Sequence, residues 1–249
     1  MARGTAGRAR FLEYVRLDPA GVPSGYPFDL PVVRWLSRTS RLSFGAGVTF
    51  VVGENGSGKS TLVEAVAVAS GFNPEGGSRN FRFATRPSES SLGGHLVLGR
   101  GTAKPRTGFF LRAESYYNVA TEIERLGLVP TYGGSSPHHR SHGESFLDLA
   151  THRFGPNGLY LLDEPEAALS VRGCMALLTR LADLVRRNCQ VVIATHSPVL
   201  LALPGATILQ IDDDGSVARV PFDEALPVRL TREFLAEPER LVRILLEEN

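Results

Sequence analysis

The sequence predicts an α/β fold: a mostly parallel sheet flanked by helices, with a small antiparallel β region about residues 73–111 and a short helical subdomain about 112–154. Three observations predict it. Apolar, β-branched runs of strand length ("GVTFVV", "GLYLLDEPE", "QVVIATHS") alternate with helical segments, the pattern of β–α–β units. Each run gives way to glycine or polar residues, which puts the chemistry at the carboxyl edge of the sheet. A chain of 249 residues, 43% of them hydrophobic, can bury one large core, so residues 1–249 are read as a single domain.

The elements follow in order. "MARGTAGRAR" is basic but no apolar segment follows it, so it reads as a leader of no fixed structure and not as a signal peptide. Residues 19–31, rich in proline and glycine, read as an irregular strap. "GVTFVV" (47–52) is a buried strand by its continuous apolar content, and "KSTLVEAVAVASG" a helix closed by Gly71. Turn formers around "NFRFAT" and "GGHLVLGR" suggest short antiparallel strands over 73–108. "ESYYNVATEIERLGL" is expected to be helical. A Gly/Ser/Pro/His loop, "PTYGGSSPHHRSHG", then leads into a second helix, "ESFLDLATHRF". The strands "GLYLLDEPE" and "QVVIATHS" flank the helix "MALLTRLADLVRR". "ATILQID" adds a strand and "TREFLAEPERLVRILLEE" the terminal helices.

Composition narrows the function. A net charge of +1 gives no global argument for nucleic acid or an anionic membrane. Two cysteines, Cys174 and Cys189, make no disulfide framework and read as reduced packing residues of a cytoplasmic protein. No stretch approaches the roughly 18 apolar residues a bilayer span needs. His138, His139 and His142 cluster within five residues. With no cysteine or carboxylate at ligand spacing before Glu144, they read as a polar loop and not as a zinc site.

Three motifs carry chemistry. Gly53, Gly58, Lys59 and Ser60 fit the phosphate-binding loop G-x-x-x-x-G-K-[ST], set between a strand and a helix as its mechanism requires. Consecutive N–H groups of Gly53, Glu54, Asn55, Gly56, Ser57 and Gly58 make an anion nest, and the helix that begins with Lys59, Ser60 and Thr61 adds its dipole. Lys59 reaches the β- and γ-phosphates, and the Ser60 hydroxyl ligates Mg²⁺. Lys59 is one of two lysines in a chain whose other basic residues are arginines. A slim stem with a point charge suits a narrow site that a guanidinium fork would not enter. Asp163 ends an apolar strand and is placed to hold Mg²⁺ through its water shell; Glu164, the next residue, is placed as general base for the attacking water. His196 follows a strand of the same type, where a neutral imidazole senses a γ-phosphate. Together they define a P-loop NTPase that uses Mg²⁺.

Phosphate loop, D-E after an apolar strand and strand-T-H-S, in this order, resemble the ATP-binding-cassette (ABC) ATPases over about residues 40–215. The likeness is to the soluble SMC-like branch and to stand-alone bacterial members called AAA-family ATPases. The resemblance implies ATP as the nucleotide and a nucleotide-sandwich homodimer that drives or switches a partner, DNA or protein. It also implies that Ser141, His142, Gly143 and Glu144 stand at the family's signature motif, where Ser141 and the following helix cap the partner protomer's γ-phosphate. Arg140 and His142 replace the family's leucine and first glycine there. The family's glutamine between the lobes is missing, since Gln190 and Gln210 are misplaced for it; Glu114 or Ser115 is the substitute, Glu114 favoured. Tyr26, Phe28 and Trp35 are candidates to stack on adenine. Two alternatives stay open: the ATP-binding subunit of a transporter, against which the altered signature and "DEPE" argue, and a non-hydrolysing ATP clamp, which would need neither Glu164 nor His196.

Overall fold

The computed structural model describes residues 10–18, 23–78, 91–113, 121, 124, 125, 127 and 142–247. Its frame is a seven-stranded sheet in the order β10-β9-β3-β8-β7-β6-β4. The strands are β3 (Val48–Gly53), β4 (Gly77–Ser78), β6 (Thr107–Arg112), β7 (Gly158–Asp163), β8 (Gln190–Ala194), β9 (Thr207–Ile211) and β10 (Val217–Val220). The middle five run parallel; β10 and β4 close the edges antiparallel.

The continuous apolar runs of the central strands have a direct cause: both faces are buried, and successive side chains enter different cores. Phe50, Val52, Tyr160, Leu162, Val191 and Ile193 point into one core. There they meet α3 (His142–Arg153) and α4 (Val171–Arg186) through Phe146, Leu149, Leu177 and Leu181. Val51, Leu159, Leu161, Val192 and Ala194 point into the other. That core is completed by α2 (Lys59–Ala69), by α1 (Pro31–Arg38) and by a second, three-stranded antiparallel sheet. This sheet runs β2-β1-β5, from β1 (Leu12–Leu17), β2 (Leu42–Ser43) and β5 (Leu96–Arg100). The last helices are α5 (Pro198–Leu201), α6 (Leu226–Ala236) and α7 (Pro238–Glu247).

The expected strands at 47–52, 158–163 and 190–194 and the expected helices after Lys59 and Glu144 form as read, and Gly71, at φ 87°, ends α2. The small antiparallel β region is present, with its pairings shared out between two sheets: β4 runs antiparallel to β6, and β5 antiparallel to β1. Residues 107–112 are a parallel strand of the main sheet, buried on both faces by Phe109, Phe110 and Leu111. Leu96–Arg100 pairs with the N-terminal strand β1 and not with a local neighbour. Pro31, read as the end of a strap, opens α1, where its missing N–H costs nothing. Most of the expected helix over 114–128 and the loop carrying His138 and His139 lie outside the described residues.

Candidate functional site

The site forms at the carboxyl ends of β3, β7 and β8, adjacent strands whose loops face one crevice. After β3 the chain turns sharply: Gly56 and Gly58 take φ of 82° and 94°, a region open to glycine at little cost. Gly53 is needed for space. A Cβ there would sit 2.9 Å from both the Ile211 carbonyl oxygen and Ser57 Oγ. At Gly58 it would meet Val32 Cγ1 of α1 at 2.7 Å. The loop therefore closes on itself and delivers Lys59 and Ser60 as the first residues of α2, where free N–H groups attract an anion. Glu54 and Asn55 belong to this turn, and Thr61 follows Ser60 in the first turn of α2. Ser57 Oγ is buried and has no hydrogen-bond partner among the described residues.

Lys59 is 4% exposed, and its Nζ lies 3.6 Å from Glu164 Oε1. Ser60 Oγ donates to the same oxygen at 3.4 Å. His196 Nε2 approaches it at 3.8 Å and has no hydrogen-bond partner among the described residues. One carboxylate oxygen thus gathers the lysine, the hydroxyl and the imidazole. Glu164 reaches this point through a backbone rarely taken by a residue with a Cβ, φ 47° and ψ 52°, held by its N–H donating to the Ala194 carbonyl. Such strain persists where surrounding structure imposes it, and it clusters at functional sites.

Asp163 is 5% exposed and pairs in register with Arg112 on β6 and Ala194 on β8. Arg112 Nε stands 3.3 Å from Asp163 Oδ2, while its Nη1 donates to Glu64 Oε2 at 2.7 Å. Glu64 lies one turn along α2 from Ser60, so the guanidinium bridges strand and helix between two buried acids. The sequence reading passed over Arg112; its signal was a lone cation ending the apolar run "GFFLR". Ser60 and Asp163 offer hydroxyl and carboxylate oxygens, the hard donors that suit Mg²⁺. The residues fit that ion.

The acidic loop and the histidine segment are stitched together. Glu166 Oε1 accepts the His196 N–H at 2.5 Å, Thr195 N–H donates to the Val51 carbonyl, and Ser197 caps α5. Glu166 also escaped the sequence reading, which took "DEPE" only as a mark of family branch.

Of the signature residues, Gly143 and Glu144 stand in the first turn of α3, which His142 opens. A Cβ on Gly143 would lie 2.9 Å from the Ala168 carbonyl oxygen, so the helix start leans on the turn after Glu164. Ser141, the side chain of His142, Glu114 and Ser115 lie outside the described residues. Gln190 and Gln210 have other work. Gln190 is fully buried and binds Phe11, Leu12 and Gly45 of the neighbouring layer, and Gln210 bonds Asp212 and Leu226. Phe28 is buried edge-on to His95, Trp35 packs on the core, and Tyr26 is exposed.

Two family models match the chain: one described as "AAA domain" over residues 33–119, and one described as "AAA domain, putative AbiEii toxin, Type IV TA system" over residues 137–202. A "Putative ABC transporter ATP-binding protein" of Pyrococcus furiosus is 27% identical over 244 residues, 92% of each chain. Structural maintenance of chromosomes protein 6 of Takifugu rubripes is 35% identical over 96 residues, 35% of this chain and 8% of that protein. Among solved structures, a putative metal-chelate type ABC transporter in an inward-facing conformation overlaps with a TM-score of 0.49 at 17% identity, covering 86% of this chain and 85% of that one.

Proposed function

We propose that this chain is an ATP-binding ATPase of the ABC type, akin to the relatives it matches, and that it hydrolyses Mg-ATP at the carboxyl ends of β3, β7 and β8. The loop N–H groups and the dipole of α2 take the phosphate oxygens, and Lys59 supplies the counter-charge at the β- and γ-phosphates. Ser60 and Asp163 hold Mg²⁺, which neutralises phosphate charge when bound. Lys59 and Ser60 then turn from Glu164 to the nucleotide, and the freed carboxylate accepts the proton of the attacking water. His196, with Nε2 free to bond, reads the γ-phosphate that ADP lacks.

One observation supports this reading above the rest: Lys59, Ser60 and His196 converge on the single oxygen Glu164 Oε1. A non-hydrolysing clamp has no need for a base and an imidazole at that point. The cycle closes two copies head to tail, with Ser141, Gly143 and Glu144 of one protomer against the nucleotide of the other. Phosphate release from ATP, measured with and without Mg²⁺, tests the reading. Wild type should turn over only with the metal, and Lys59→Ala should neither bind nor cleave ATP. Wild-type ATP affinity in Lys59→Ala, by titration calorimetry, would overturn the assignment of the loop.

A further inference from the structure

We propose that Glu166 is a positioning residue that sets His196 against Glu164, an inference that rests on the ATPase reading above. The turn Pro165–Ala168 begins at the strained Glu164, and its second residue accepts the His196 N–H at Oε1. The spacing between base and imidazole, 3.8 Å from Glu164 Oε1 to His196 Nε2, is thereby fixed by two short links. One is the backbone from 164 to 166 across a proline; the other is the hydrogen bond from 196 to 166. Within the turn, the Ala167 N–H donates to the Glu164 carbonyl and the Leu169 N–H to the Glu166 carbonyl, so the segment has little freedom.

Stability alone does not explain a glutamate here. Its Oε2 is buried with no hydrogen-bond partner among the described residues. An unsatisfied carboxylate oxygen away from water is costly. What the side chain contributes is an acceptor oxygen at Oε1, held where the His196 N–H meets it. The Ala168 carbonyl of the same turn abuts Gly143, so the grip on His196 sits two residues from the contact with the start of α3.

Three variants decide it: Glu166→Ala, Glu166→Gln and, as a control for the underlying reading, Glu164→Gln. Each is assayed for ATP turnover, for ATP and ADP affinity with fluorescent nucleotides, and for exchange of the His196 amide by NMR. Glu166→Ala should lower kcat by about tenfold or more, as a misplaced reacting group does, with KM and ADP affinity within about threefold. It should also expose the His196 amide to exchange. Glu166→Gln keeps an acceptor oxygen and should restore both turnover and protection. Unchanged kcat and protection in Glu166→Ala overturn the proposal. So does a glutamine variant as defective as the alanine one, which would mark the charge itself as the working feature. If wild type cleaves no ATP, the ATPase reading has failed; if Glu164→Gln cleaves ATP as wild type does, Glu164 is not the base. The amide protection of the two Glu166 variants then still decides whether the grip exists.

Discussion

His196 and Arg112 show two ways in which one side chain can matter here. His196→Ala should cut hydrolysis while leaving ADP affinity within about threefold, since the role proposed for the imidazole is to address a phosphate that ADP lacks. Equal losses of ATP and ADP affinity in parallel titrations would mark it as a packing residue. Arg112 works through charge: removing it as Arg112→Met leaves Glu64 and Asp163, at 8% and 6% side-chain exposure, facing each other without the cation between them. Breaking such a buried pair costs about 3 kcal/mol or more, to be read from urea unfolding. A loss below about 1 kcal/mol would mean that other partners already satisfy both acids. The contrast explains what was legible. Asp163, Glu164 and His196 sit at or just past strand ends and Lys59 opens the helix after β3, where sequence position alone predicts a shared edge. Arg112 and Glu166 act through cross-strand register and a side-chain-to-backbone bond, and neither is visible until the strands are ordered.

Among the elements, β3, β7 and β8 were legible because burial on both faces makes the run mostly apolar, with Thr49 and Gln190 as buried polar exceptions. The partners of β1 and β5 were not: the strands are nearly eighty residues apart, and local turn signals say nothing about such pairing. The register of β6 was hidden for the same reason, so it was read into an antiparallel group. Tight contact between α3 and the turn after Glu164 gives a prediction at this level. Gly143→Ala places a methyl 2.9 Å from the Ala168 carbonyl oxygen, and the helix start has to shift. Overpacking of this kind costs about 1–3 kcal/mol. That lowers the melting temperature of a chain this long by about 2–4 °C per kcal/mol. An unchanged melt would mean that the helix end moves freely.

At the scale of the whole molecule two properties are open to test, a pH dependence and the proposed dimer. Burial raises the thiols of Cys174 and Cys189 above their ordinary 9.0 and drives the Tyr160 phenol up as well, against the weaker pull of neighbouring arginines on Tyr160 and Cys189. All three stay neutral in the folded state, while the unfolded chain gives up these protons first. Their contribution is complete below pH ~9 and is lost as pH rises towards the folded values. Melting temperature should therefore fall more steeply above pH ~10 in wild type than in Tyr160→Phe, once the constant loss of the Tyr160–Gly155 hydrogen bond is subtracted. Parallel curves would place the alkaline transition elsewhere. For assembly, Ser141→Arg should block an ATP-dependent dimer of about micromolar strength, roughly 8 kcal/mol, while the monomer still binds ATP. A dimer that survives this change would move the interface away from the start of α3.

The proposed hydrolysis at Glu164 is the step on which the rest depends, and one variant separates it from binding. Glu164→Gln, mixed with Mg-ATP, should bind nucleotide within about threefold of wild type and release phosphate at least about a hundredfold more slowly, because an amide cannot accept the water's proton. Calorimetry and phosphate release on the same sample report both numbers. Turnover within about threefold of wild type, with binding intact, would show that another group is the base and that the convergence on Glu164 Oε1 serves structure alone.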